Sequence, residues 1–162
     1  MRGVKIPFIL VAMVCILSAG AAFSQELAGI PAYVKTPTDL ANWMSEEFTY
    51  AMEYPDRWQS PQETIDKKGG DCDDFAILAS AMLSNFNIDN DIVLVEFKGM
   101  NVAHLLCVWK NQDGTYSFIS NKKLYNTGEE YLSDAIAHFY PDCSKFTLAN
   151  KMKTAYRYYY NS

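Results

Sequence analysis

The sequence predicts a single α+β domain, with helices in its first half and an antiparallel sheet in its second. Two patterns carry this reading. Apolar residues recur at helical spacing between positions 37 and 86, and β-branched, apolar runs follow from 92 to 120 around an Asn111-Gln112-Asp113-Gly114 turn. Helices first and strands after, in 162 residues that are 49% hydrophobic, suit one core under one sheet rather than alternating βαβ units.

Residues 1–24 are expected to stand apart as a signal peptide. Arg2 and Lys5 precede an apolar run from Ile6 to Leu17, and Ala22-Phe23-Ser24 supplies small residues for cleavage before Gln25. The alternative is an uncleaved anchor, because apolar character persists to Phe23, about the length that spans a bilayer. Cleavage would leave a single domain over 25–162 and a periplasmic or secreted location. It would also remove two of 14 basic residues against 19 acidic ones, taking the formal charge from −5 to −7. A nucleic acid is therefore not an expected partner, and no stable membrane insertion is expected after cleavage.

The first helix is predicted from Thr36-Pro37-Thr38-Asp39, with Pro37 at its first position; Leu40, Trp43, Met44, Phe48 and Ala51 mark its buried face, and Pro55 ends it. Ser60-Pro61-Gln62-Glu63 repeats the start signal for a short helix that stops at Gly69-Gly70. A third helix opens at once, with Phe75, Leu78, Ala79, Met82, Leu83 and Phe86 at helical spacing. Ile92–Phe97, Val102–Trp109 and Thr115–Ser120 are the predicted strands, the last two forming a hairpin across 102–121. Glu129 to Tyr140 reads as a helix ending before Pro141, and Thr154 to Tyr160 as a tyrosine-rich final strand or a binding surface.

The chemistry concentrates at the start of the third helix, in Gly69-Gly70-Asp71-Cys72-Asp73-Asp74. A cysteine in a first helical turn lies among unpaired N–H groups that stabilise a thiolate and can also hydrogen-bond an oxyanion. Asp71, Asp73 and Asp74 oppose thiolate formation, so a cationic partner is needed to favour it. The plain alternative is that Cys72 is a small core residue. With Cys15 lost in the signal, Cys72, Cys107 and Cys143 remain, an odd count in an oxidising compartment. Cys107 and Cys143 are open to a disulfide, or are a buried strand residue and a free thiol. Without CxxC or His-rich spacing, a structural zinc site is not expected.

A cysteine nucleophile needs a base, and the base needs a group to hold its ring. Two histidines are present. His138 falls near the C-terminal end of a helix, where an imidazolium is stabilised without any further role. His104 interrupts an apolar strand, sharing a face with Leu106 and Val108, so it is either a satisfied core histidine or the base. If Gln112-Asp113 is a two-residue loop, paired residue numbers sum to 225 and His104 faces Asn121, whose amide oxygen would accept its Nδ1–H. If instead Gly114 sits in a bulge after a type I turn, the sum shifts by one and Asn121 becomes a diagonal neighbour. Trp58 precedes this region as a core residue or a wall of the site.

The pattern Trp58-x-x-Pro61-x-Glu63-Thr64, then Gly70-Asp71-Cys72-Asp73-Asp74-Phe75-Ala76, His104 on a strand and a hairpin back to Asn121, resembles the transglutaminase-like superfamily. It is most similar to the bacterial transglutaminase-like cysteine peptidases, over about residues 56–125. The resemblance implies a papain-like fold and a Cys, His and Asp/Asn triad carried onto Cys72, His104 and Asn121. It departs from the family at Asn121, where Asp is usual. It also implies that Asp71, Asp73 and Asp74 are weak candidates for calcium, with no other cofactor. The function expected is a thiol hydrolase of peptidase or amidase type, acting on a peptide or protein substrate through an acyl-enzyme, with Trp58 or Gln62 as a second oxyanion donor beside the Cys72 N–H. The alternatives are a non-catalytic domain of the same fold that binds a peptide or glycan, and a transglutaminase in which an amine replaces water. An anchored structural subunit is a third class, tied to an uncleaved leading segment.

Overall fold

A computed structural model of the chain describes residues 26–55 and 57–148. The leading segment and the tyrosine-rich tail, on which the signal peptide and a final strand were predicted, lie outside the described residues. The α+β expectation is borne out: four helices accompany a five-stranded antiparallel sheet.

Helix α1 (Pro37–Glu47) starts as its sequence dictates, the Thr36 hydroxyl accepting from the Asp39 N–H at 3.1 Å and the Asp39 carboxylate accepting from the Thr36 N–H at 3.0 Å. It ends well before Pro55. From Phe48 the backbone is extended, and β1 (Thr49–Tyr50) pairs in parallel with β2 (Gly69–Gly70), so a β-branched and an aromatic residue take a strand where the apolar spacing suggested helix. Helix α2 (Pro61–Lys67) has the expected Ser60–Glu63 capping box. Its end differs from prediction, because Lys68 itself takes the left-handed turn at φ 51° with its ammonium over the Trp43 and Phe48 rings at 4.5 and 4.8 Å. The glycine pair is thereby freed for close approach to β1; a Cβ on Gly69 would fall 2.9 Å from the Thr49 carbonyl oxygen.

Helix α3 (Cys72–Asn85) leads into β3 (Asn90–Phe97), β4 (Ala103–Lys110), β5 (Tyr116–Ser120) and β6 (Lys123–Asn126). Helix α4 (Leu132–Phe139) and β7 (Cys143–Leu148) follow, and the sheet order is β6-β5-β4-β3-β7. Strands β6 and β7 were not predicted. Helix α4 starts three residues later than expected because Tyr116 N–H bonds the Glu129 carbonyl at 2.7 Å and Thr127 N–H bonds the Tyr116 carbonyl at 3.2 Å, which holds 127–129 against β5.

The sheet is buried on both faces. Cys107, Trp109 and Ile119 pack with Phe75, Leu78, Ala79 and Met82 on the α3 side, while Val93, Val95, Leu106, Val108 and Phe118 pack with Ile136 on the α4 side. Alternation along β4 thus sends its odd residues toward the cysteine helix and its even residues toward α4. Cys107 and Cys143 belong to opposite faces and both are free thiols, so the disulfide considered for them is absent.

Candidate active site

Cys72 is the first residue of α3, and its seat is built by Asp74. The buried Asp74 carboxylate accepts from the Gln59 N–H at 2.6 Å, from Gln59 Nε2–H at 2.6 Å and from the Asp71 N–H at 3.1 Å. Three donors satisfy a charge that has little access to water, and they latch the loop before α2 to the first turn of α3. Gly70 is required by the same arrangement, since a Cβ there would lie 2.6 Å from the Asp74 Cβ. The glycine answers a lack of space.

Burial raises the Cys72 thiol pKa first, and the Asp71 and Asp73 carboxylates raise it further; the backbone N–H groups of Leu105 and of Cys72 itself work the other way. Burial also lowers the His104 pKa. Both shifts favour a neutral thiol and a neutral ring, so burial works against His104 as the cationic partner that the acidic neighbours call for. Among the described residues no hydrogen bond joins the Cys72 thiol to the His104 ring. The sulfur lies against β4 at Leu105, next in sequence to His104. It is near enough to the Tyr50 and Tyr140 hydroxyls for its charge to raise both, although burial is the larger cause for each.

His104 stands on the α4 side of the strand, its ring centroid 5.8 Å from that of Tyr140. Its Nε2 lies 2.8 Å from Ser120 Oγ, and the Tyr140 hydroxyl is hydrogen-bonded to the same oxygen at 2.9 Å. The hydrogen-bond partner of the ring is therefore Ser120, one residue before the amide that sequence reasoning favoured. The register explains this. Leu106 pairs with Ser120 and Lys110 with Tyr116, a sum of 226, and Gly114 takes φ 89° after a turn closed by the Gly114 N–H to the Asn111 carbonyl at 3.0 Å. The bulged hairpin is the one formed, and the two-residue loop is not. Asn121 occupies a left-handed position at φ 50° between β5 and β6, which an asparagine accepts readily; its Oδ1 is buried and has no hydrogen-bond partner among the described residues.

The Gln62 amide is engaged away from α3. It accepts from the Ala28 N–H at 2.8 Å and donates to Asp66 at 2.8 Å, pinning the start of the described chain to α2. The glutamine that does adjoin α3 is Gln59, next to the half-buried Trp58, with its amide N–H engaged by Asp74. His138 is an exposed residue of α4 paired with Glu129 at 3.2 Å, as expected of a histidine with no further role. Asp71, Asp73 and Asp74 bring carboxylate oxygens within 4.8 Å of one another, a donor set suited to a hard cation. Asp74 already accepts three N–H groups, so a cation would draw on Asp71 and Asp73. Sequence reasoning passed over Ser120, Tyr140 and Gln59. Ser120 was within reach of it, because hydroxyls as well as acids and amides can hold an imidazole.

A family described as transglutaminase-like domain matches residues 21–142. Among solved structures, Legionella pneumophila LapG in an EGTA-treated form is 21% identical over 66% of this chain and 57% of that chain, with a TM-score of 0.49. The calcium-bound form of LapG is 22% identical over 68% of this chain and 67% of that chain, with a TM-score of 0.47. The chain thus spans 57% of the length of the first of these structures. No curated protein sequence matches.

Proposed function

The chain belongs to the transglutaminase-like family, and from that premise we propose that it is a thiol hydrolase of peptidase or amidase type in which Cys72 is the nucleophile and His104 the base. The observation that carries this is the meeting at one strand end of a helix-start thiol facing the Leu105 N–H and a histidine whose Nε2 is engaged elsewhere. Nε2 on Ser120 leaves Nδ1 to take the thiol proton as sulfur attacks a carbonyl carbon. The tetrahedral oxyanion would find the Cys72 N–H at the start of α3, where the helix dipole also favours it. The imidazolium then gives its proton to the departing amine, and water resolves the acyl-enzyme by the same steps in reverse roles. Asn121, at the family's third position, holds the β5–β6 turn that brings Ser120 to the ring. A hard cation would be held by Asp71 and Asp73, and its charge would offset the two carboxylates that raise the Cys72 thiol.

The substrate in this reading is a peptide or protein, and the site works outside the cytoplasm after removal of residues 1–24. No helix among the described residues is long and apolar enough to cross a membrane. A second reading, a peptide- or glycan-binding domain without catalysis, is favoured by the neutral thiol and ring and by the absence of a Cys72–His104 hydrogen bond among the described residues. Iodoacetamide labelling followed by peptide mapping separates the two. The hydrolase reading expects Cys72 to be labelled in the folded protein, slowed by His104→Ala, and expects peptide cleavage that Cys72→Ala abolishes. Labelling that appears only on unfolding, with no cleavage, would leave the binding domain. Capture of the acyl group by an added primary amine would identify a transglutaminase.

A further inference from the structure

We propose that Ser120 and Tyr140 are positioning residues that hold His104 by Nε2 and so reserve Nδ1 for the thiol, a role that deepens the hydrolase reading and rests on it. The geometry is a chain of three groups. His104 Nε2 lies 2.8 Å from Ser120 Oγ, the Tyr140 oxygen lies 2.9 Å from that same Oγ, and the Tyr140 ring packs against the imidazole with centroids 5.8 Å apart. Ser120 is 9% exposed, so its hydroxyl has little water to turn to, and no other hydrogen bond to it is present among the described residues. The phenol therefore fixes both the hydroxyl that bonds the ring and the plane in which the ring lies.

Counting protons shows why hydroxyls suit this task. Ser120 carries one hydrogen and two lone pairs, and Tyr140 the same. When Nε2 is protonated it donates to Ser120, whose own hydrogen passes to the Tyr140 oxygen; when Nε2 is bare, Tyr140 donates to Ser120 and Ser120 donates to Nε2. Both orders satisfy Ser120, Tyr140 and Nε2, but the second puts the ring's hydrogen on Nδ1, where it has no hydrogen-bond partner among the described residues, and only the first is open to an imidazolium, which has a hydrogen on each nitrogen. Taking the thiol proton at Nδ1 thus selects the order Nε2–H to Ser120 to Tyr140, with no bond broken beyond S–H and no charge left on either hydroxyl. A carboxylate at the same place accepts only, and favours the imidazolium by charge as well as by orientation. The hydroxyl pair orients the ring with little bias toward its charged form, in keeping with a neutral resting pair.

The test reads the ring directly. Nitrogen-15 NMR of His104 in the full chain at about pH 8, where an imidazole is neutral, distinguishes the two tautomers, and iodoacetamide labelling of Cys72 at the same pH reads the consequence. The expected results are a predominant Nε2–H tautomer in the wild type and a shift toward mixed tautomers in Ser120→Ala. Labelling should slow by about tenfold, the worth of one buried hydrogen bond of ordinary strength. Ser120→Thr, which keeps the hydroxyl, should restore both, and Tyr140→Phe, which keeps the ring, should give a smaller change in both. Urea unfolding of each variant shows that the readouts come from folded protein. A His104 tautomer unchanged in folded Ser120→Ala, or a wild-type ring carrying its proton on Nδ1, would overturn the proposal. A tautomer that shifts while labelling of Cys72 is indifferent to His104→Ala would uphold the positioning role and sink the hydrolase reading instead.

Discussion

Replacing Gly70 by alanine should be among the more damaging single-methyl changes in this protein. Gly70 is not one of the described glycines with positive φ, so its backbone admits alanine, and the ordinary expectation for such a site is a gain of about 0.4–1 kcal/mol through the unfolded chain. The structure reverses the sign. The added Cβ would lie 2.6 Å from the Asp74 Cβ and 2.9 Å from its Cγ, and the first of these is fixed to the helix backbone and cannot swing aside. Overpacking of this kind costs about 1–3 kcal/mol. Moving Asp74 also loosens its bonds to Gln59 and to the Asp71 N–H, each worth about 1 kcal/mol net. The balance is a loss of roughly 2–4 kcal/mol, which at an m-value of about 2 kcal/mol/M lowers the urea midpoint by about 1–2 M. Gly99→Ala is the control: no atom lies within 4 Å of its Cβ, and only φ 72° resists it, for about 1–2 kcal/mol. A Gly70→Ala midpoint equal to wild type, or a loss smaller than that of Gly99→Ala, would refute the claim that Asp74 occupies the space a side chain needs.

Because burial lowers the His104 pKa, the unfolded chain binds its proton more readily, so stability should fall as pH drops below the ordinary histidine value of about 6.5; urea midpoints for wild type and His104→Asn should diverge less at acid pH, and parallel curves would count against the shift. Burial raises the Cys107 thiol well above its ordinary value, so stability should also fall as pH rises past about 8.5, and Cys107→Ala should flatten that alkaline limb. Reduction should leave the mass unchanged, since Cys107 and Cys143 are free thiols on opposite faces; a gain of two hydrogens would contradict that separation. His138→Ala, which removes an exposed pair with Glu129 and a stack on the neighbouring Phe139 ring, should change stability by less than about 0.5 kcal/mol and leave Cys72 labelling as it was.

Much of this was legible because it is local. Thr36, Ser60 and the prolines after them announce two helix starts, both matched by capping boxes, and the apolar spacing from Phe75 to Leu83 announces the third, where the Asp74 carboxylate accepts from the Asp71 N–H. What was not legible depends on distant partners. Nothing in Thr49-Tyr50 says that it will leave a helix to pair with Gly69-Gly70, and nothing in Cys143–Leu148 says that β3 has an open edge for it. The hairpin turn allowed two registers one residue apart, and that residue decides whether an amide or a hydroxyl meets His104. Sequence reasoning named Trp58 and Gln62 and passed over Gln59, three positions before Gln62; only the buried Asp74, which takes both Gln59 N–H groups, shows that Gln59 adjoins α3.

The surroundings of Cys72 fit a pair that rests uncharged. Two carboxylates and burial hold the thiol protonated, and burial holds the ring neutral. An aspartate bonded to His104 would add an anion to stabilise the imidazolium, whereas a serine backed by a tyrosine orients the ring without that charge. Under the hydrolase reading the cost would fall on the reaction, because charge separation would have to be stabilised as the sulfur attacks rather than beforehand. The same feature restrains side chemistry. Oxidation of a cysteine follows its thiolate character, so under the hydrolase reading oxidation of Cys72 would wait on proton transfer to His104, as its alkylation does.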